Sequence, residues 1–349
     1  MLDNMISLYE TRRMVGVLRQ MEPNPQFFRR FQTNTLQHPT DTITIDIEKG
    51  GQRIVPYVFP VQEGVVMERA GYTTESYKIP YIRVKMTSEA DKFLTRSANE
   101  TVFDDGGPAS RAARQLVDDL DQLHRNIEQE EERQRAEAFT LGQTTIRNVK
   151  GQVIRVIPYG LTQTGSPAIP WNANTGFNAV LEYLRERIAG ITKTGAPAPT
   201  DIVLAWDVGN VLIKIFSPDA KTSHLSQFKV ERGEITLRTV EPGVSYLGNF
   251  IELGGADVWI YSGTYKDLDG TVKPYVPSGK LLMLSQNARY DMNYGAIQNF
   301  YGNFAAVSRF PHSWIEQDGR GRTLQLESAP LFVPHQIDSV GVYDVLEAA

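Results

Sequence analysis

The sequence contains no cysteine. That excludes disulfides, thiolate catalysis and cysteine-ligated zinc, and it fits folding in a reducing compartment. No stretch approaches the ~18 to 20 consecutive apolar residues that span a bilayer. The segment from Met1 to Glu22 carries Asp3, Glu10, Arg12, Arg13 and Arg19, so it lacks the uninterrupted apolar core of a signal peptide. A soluble, non-secreted chain without membrane contact is expected. Positive charge is in short supply: 36 lysines and arginines stand against 41 acids, a net charge of −5. Chains that wrap nucleic acid tightly are basic, so any contact with DNA is expected to be loose.

Catalytic patterns are missing too. The five histidines, His38, His124, His224, His312 and His335, are scattered, and no H-E-x-x-H pattern joins any two. Gly254-Gly255 and Gly319-Arg320-Gly321 fit neither phosphate-loop spacing and read as hairpin turns. Asp267-Leu268-Asp269-Gly270 has two ligands of a calcium loop but lacks the third acid and the distal glutamate, so it reads as a turn. Gly243-Val244-Ser245-Tyr246 lacks the closing glycine of a nucleophile elbow. Asn99-Glu100-Thr101 fits a glycosylation triplet that has no use without secretion. No catalytic, cofactor-binding or metal-binding residue is assigned. No cofactor and no enzyme activity are expected, with a cytoplasmic enzyme of dispersed site as the rival reading.

What is present is an ordinary folding composition, 41% hydrophobic and 22% charged over 349 residues. At ~150 residues per domain this suggests two domains. Ser7 to Gln20 reads as a short helix, stopped by Pro23 and Pro25. Phe27-Phe28-Arg29-Arg30-Phe31 reads as a clamp onto this or a neighbouring subunit, with a packing anchor in the same chain as the plainer alternative. Residues 40–88 read as a long β-hairpin. Ile43, Ile45 and Ile47 alternate with polar residues, Gly50-Gly51 turn the chain, Ile54 to Phe59 return it with Pro56 at an edge, and the alternation of Ile82, Val84 and Met86 brings it home. A two-stranded excursion of that length needs a neighbour to lie on.

Residues 109–141 read as one helix ~50 Å long, with Pro108 at its start and Gly142 past its end. Ala113, Leu116, Leu120, Leu123 and Ile127 form its apolar stripe. Glu130, Gln134 and Glu137 take over that stripe, so the second half reads as solvated, and Glu128 to Arg135 as a solvent face with local ion pairs. Beyond it lies a mixed α/β region: a helix with Phe177, Leu181, Leu184 and Ile188 on one face, a break at Gly195 to Pro199, and a buried strand from Ile202 to Trp206. Asp207 then stands at the N-cap of a helix through Val211, Leu212 and Ile215. Further strands are read at Val258 to Tyr261, Leu281 to Leu284, Leu324 to Leu326 and Val340 to Val342. Gly142 and Gly151 read either as hinges or as ordinary turn glycines.

The order of elements resembles the tailed-phage capsid proteins, whose fold was first seen in phage Hong Kong-97. Five stretches are similar to the lambda-like branch, the phage capsid E family. They are Tyr57 to Val66 with Arg69 and Gly71; Gly255 to Tyr265; Asn287-Ala288-Arg289 with Tyr294 to Gln298; Arg309-Phe310-Pro311 with Trp314; and Ser328 to Leu331. They run collinearly from about Thr40 to Pro334, while the segment from Gly142 to Asn178 matches poorly. The resemblance implies an α+β Hong Kong-97-type fold. Its parts would be an N-terminal arm at 1–35, an extended loop at 36–90, a peripheral domain at 91–150 with a spine helix at 109–141, an axial domain at 151–321, and C-terminal strands at 322–349 returning to the peripheral domain.

It further implies a major capsid protein that self-assembles into hexamers and pentamers of an icosahedral head around double-stranded DNA. Its place would be the virion, after assembly in the host bacterial cytoplasm. Implied partners are copies of the chain itself, a separate scaffold protein, a portal and a decoration protein, with loose contact to packaged DNA. No covalent cross-link is expected. An encapsulin-like nanocompartment shell is the alternative within the same fold.

Overall fold

The computed structural model describes residues 10–21, 26–48, 72–89, 108–172, 174–216 and 238–347. Gly50-Gly51, Ile54 to Phe59, Tyr57 to Gly71, Pro23, Pro25, Asn99 to Thr101 and His224 lie outside the described residues. Among the described residues no helix is long and apolar enough to cross a membrane.

Among the described residues four α-helices carry the chain between sheets: α1 (Thr11–Gln20), α2 (Pro108–Leu141), α3 (Phe177–Lys193) and α4 (Trp206–Phe216). The long helix α2 starts on the proline, whose missing N–H costs nothing there, and stops at Gly142, which takes φ +62°. A side chain at 142 would meet Leu161 as well: an added Cβ lies 2.4 Å from Leu161 Cβ. Gly151, at φ +76°, turns the hairpin between strands Gln143–Arg147 and Val153–Pro158. Of the two readings of these glycines, turn formation is the one the backbone displays.

Two hydrophobic cores share α2. The smaller packs Leu116, Leu120, Leu123 and Ile127 of its first half against Met14 and Leu18 of α1 and Leu324 and Leu326. These leucines belong to a three-stranded antiparallel sheet, Phe310–Ile315 beside Gly321–Ser328 beside Ile82–Glu89. This corrects the expected hairpin. Strand 82–89 pairs with 321–328 in the register Ile82↔Ser328 to Glu89↔Gly321, not with 42–48. Its apolar alternation is satisfied by a partner more than two hundred residues away, which no local pattern reveals. The hairpin itself is Thr42–Glu48 against Tyr72–Lys78, in the register Thr42↔Lys78 to Glu48↔Tyr72.

The larger core surrounds a seven-stranded sheet. Its order is Gln163–Gly165, Gly341–Asp344, Lys280–Leu284, Asp201–Ala205, Ala256–Tyr261, Val244–Phe250, Arg238–Glu241. The central strand Asp201–Ala205 is buried along its whole length, as its unbroken apolar run requires. It pairs parallel with Ala256–Tyr261 and antiparallel with Lys280–Leu284. Val180, Leu181, Leu184 and Ile191 of α3 and Val208, Leu212 and Ile215 of α4 join this core. Asp207 is the second residue of α4 and not its expected N-cap, and it accepts from Val208 N and Gly279 N. The C-terminal segment divides. Strands Gly321–Ser328 and Pro330–Pro334 lie along α2, whereas Gly341–Asp344 is a member of the seven-stranded sheet.

The arm is sewn down within the chain. Strand Asn34–Gln37 pairs parallel with Tyr290–Tyr294. Phe27, Phe28 and Phe31 are fully buried in the larger core against Phe139, Trp259 and Tyr261, with ring centroids 4.9 to 6.0 Å apart. Arg30 lies over the Phe27 and Trp259 rings at 4.3 and 4.2 Å. The clamp reading of this motif resolves to the anchor within the same chain. Burying each phenylalanine contributes roughly 1.5–3 kcal/mol, and that fixes the arm to its own subunit.

Candidate assembly surfaces

The described histidines stand apart from one another. His38 bonds Asn293 at 2.9 Å, His335 faces Asp291 at 3.1 Å, and His312 stacks between Tyr301 and Trp314. Among the described residues no three histidines or acids stand together as a metal site. A crevice beneath α3 and α4, lined by Trp171, Leu184, Leu204, Leu212, Phe250 and Val258, has no polar wall. Gly254, Gly255 and Gly319 take positive φ in turns, and Asp267 to Gly270 turn the hairpin Thr264–Lys266/Val272–Pro274. Asp267 is brought down to about 2. Burial works upward there, and Lys273, the Leu268 N–H and Arg147 outweigh it.

The charged run of α2 departs most from expectation. Glu128, Glu131, Glu132, Arg133, Gln134, Arg135 and Glu137 are all buried, not solvated. Each is matched, largely by groups distant in sequence. Glu131 accepts from Arg309 and from Tyr294, both at 2.8 Å. Burial pushes the Glu131 carboxyl up, but Arg309, then Arg135, and the Tyr294 bond bring it below its usual value. Glu132 accepts from Phe28 N at 2.8 Å, yet burial keeps its carboxyl raised against the pull of Arg135. Arg135 donates to Gln26 at 3.0 Å, Gln32 at 2.9 Å and Glu132 at 3.4 Å. Arg133 bridges Glu130 and Glu137 and donates to the Thr145 carbonyl. Gln134 bonds both Pro330 O and Phe332 N. The i,i+4 pairs seen in the sequence are present, but the arm and strands 290–294 and 330–334 close over them. His124 anchors the other end: its Nδ1 accepts from Arg309 at 3.3 Å and its Nε2 faces Glu128 at 3.4 Å. Burial, then Arg309, lower its pKa against Glu128 and Glu131.

Three features stand out at the surface among the described residues. The first is the hairpin 42–48/72–78. Its base is fixed by Ile43 and Tyr77 in the larger core and by Ile79 N donating to Asp41 O at 2.9 Å, while Thr44, Ser76 and Lys78 are exposed. The second is an aromatic shelf on the small sheet. Phe300 and Tyr301 are 87% and 79% exposed, and Tyr301 stacks on His312 at 4.3 Å. Asn303 and Phe304 take consecutive positive φ beside it, a strained loop for side chains other than glycine. The third is the outer surface of hairpin 143–158. The sequence reading passed over it; the signal was the run Val153-Ile154-Arg155-Val156-Ile157 between Gly151 and Pro158.

Comparison with known proteins gives this arrangement a context. The sequence model described as phage major capsid protein E matches residues 10–341. The chain is 26% identical to the major capsid protein of Enterobacteria phage P21, over 97% of this chain and all of that one. It is 23% identical to the major capsid protein of Escherichia phage lambda, over 94% and 96%. A crystal structure of a capsid protein from a prophage of E. coli CFT073 superposes with a TM-score of 0.68 at 19% identity, covering 96% of this chain and 98% of that one. The likeness places these helices and sheets in the Hong Kong-97-type α+β fold. With a match that spans nearly its whole length, the chain belongs to the phage major capsid protein E family.

Proposed function

We propose that this major capsid protein assembles into hexamers and pentamers that close as the icosahedral head of a tailed phage. The observation that carries the reading is the family match across residues 10–341 on a fold whose hairpin is rooted in the larger core by Ile43 and Tyr77. The family match favours the phage head over an encapsulin-like compartment. The peripheral domain is the small sheet with α1 and the first half of α2, and the axial domain is built on the seven-stranded sheet. The hairpin 42–48/72–78 lies on an adjacent subunit, since contacts spread over several neighbours add avidity. A scaffold protein, a portal and a decoration protein are its other partners. The acidic balance keeps contact with the packaged double-stranded DNA loose. Assembly takes place in the host bacterial cytoplasm, and the protein performs no catalysis.

The test is expression of the chain with and without its scaffold, imaged by negative-stain electron microscopy. Closed shells or capsomer rings are expected; small uniform oligomers in both conditions would return the enzyme reading to the front. A matched variant isolates the hairpin: residues 45–75 replaced by an Asn-Gly turn between Thr44 and Ser76, which face each other across the ladder. The cut spares Ile82, Val84 and Met86, which pack on the smaller core. A folded chain that makes no shells is expected, and normal shells would refute the hairpin's role.

A further inference from the structure

Among the described residues, the hairpin that follows α2 exposes apolar side chains with little cover. Val149 is 94% exposed, Ile154 66% and Val153 57%, and Val156 is exposed as well. A second hairpin, 264–274, stands beside it, held by Arg147 donating to Asp267 at 2.9 Å, and adds exposed Leu268 and Val272. We call the exposed apolar side chains of these two tied hairpins the ledge.

The ledge is built, not frayed. The inner strand Gln143–Arg147 is stitched to α2: Thr145 N donates to Glu137 at 2.8 Å and Arg133 donates to the Thr145 carbonyl at 3.1 Å. Ile157 and Tyr159 anchor the outer strand in the larger core. The register then slips: Ile146 faces Arg155 and Arg147 faces Val153, leaving Ile154 without a cross-strand partner. Bulges of this kind re-aim a side chain. Exposed apolar side chains gathered on two tied hairpins mark a contact with another macromolecule.

The charge on the ledge indicates which. Lys150, Arg155 and Lys266 are exposed, with no ion-pair partner among the described residues. The acids nearby are committed: Asp267 to Arg147 and Lys273, Asp269 to Thr271 and Lys273. A cationic apolar ledge suits an anionic protein surface, and this chain carries a net charge of −5. DNA would answer the cations but leave the valines and isoleucine wet. We infer that the ledge formed by Val149, Val153, Ile154, Val156, Leu268 and Val272 is a subunit–subunit contact that takes a second copy of this chain. The inference rests on the shell-forming reading and names a surface that reading does not require.

The test is a double substitution, Val153→Asp with Ile154→Asp. Both side chains are exposed, so the unassembled variant is expected to melt as the wild type does. Its assembly, followed by light scattering and electron microscopy under conditions where wild type forms shells, is expected to need roughly tenfold or more protein. Wild-type shells with equally ready variant shells would overturn the ledge and leave the shell reading standing. No wild-type assembly at all would remove both. Hydrogen exchange of wild type supplies a readout without any variant: amides of 152–157 are expected to gain protection on assembly, and unchanged exchange there counts against the contact. A short DNA duplex that binds the unassembled chain, and loses binding in Arg155→Glu while assembly is unchanged, would assign the ledge to DNA and overturn the inference.

Discussion

Arg135 and Glu132 show why a charged run can be an interior. Both are about 2% exposed, and the partners that make this tolerable are Gln26, Gln32 and the Phe28 N–H, all on the arm. Removing one member of such a pair leaves the other buried and uncompensated, at a cost of about 3–5 kcal/mol. Arg135→Met is therefore expected to destabilise the unassembled chain by about that amount. The loss has a defined pH dependence. The Glu132 carboxyl already sits above its usual 4.5, through burial, and loss of Arg135 raises it further. A carboxyl raised in the folded state binds a proton there before the unfolded chain does. Its cost is then full above the raised value and relieved as pH falls toward 4.5. Urea denaturation at pH 8 and at pH 5.5 checks this. The deficit against wild type should shrink at the lower pH, and a constant deficit would mean that Glu132 is not the group left unpaired.

At the scale of elements, α2 was legible in its bounds and opaque in its surroundings. Pro108, Gly142 and the leucine stripe carry enough local information to place both ends and the first half's buried face. The second half reads as solvated because i,i+4 ion pairs look alike on a surface and in a core. What distinguishes them is Arg309, Tyr294 and the arm, all more than a hundred residues away. The same limit assigned strand 82–89 to the wrong partner, and it hid the ledge, whose exposure depends on what does not cover it. Gly142 and Gly151 separate turn from hinge. Both hold positive φ, which costs another residue roughly 1–2 kcal/mol, but only Gly142 has a neighbour, Leu161, in the space a Cβ would fill. Gly142→Ala is expected to destabilise by about 1 kcal/mol or more beyond Gly151→Ala. Equal losses by urea denaturation would show that Leu161 yields freely and that the joint is soft.

For the whole molecule, the shared helix sets how the two cores respond to damage. The smaller core rests on Leu116, Leu120, Leu123, Ile127, Met14, Leu18, Leu324 and Leu326, whereas the larger also gathers the seven-stranded sheet, α3, α4 and the arm. Over the second half of α2 the strands and the arm cross with buried hydrogen bonds. Units with fewer buried contacts open at lower free energy than the rest of a protein. Leu120, fully buried, lies in the smaller core. Leu120→Ala is expected to cost about 2–5 kcal/mol, and the loss should be local. In hydrogen exchange of the unassembled chain, strands 82–89, 310–315 and 321–328 and α1 should lose protection. The strands 201–205, 256–261 and 280–284 should keep theirs. A uniform loss across both sets would mean that α2 couples the cores into one cooperative unit. A local loss would mean that the small sheet can shift against a fixed seven-stranded sheet, a freedom one sequence needs if it is to occupy both six-fold and five-fold rings.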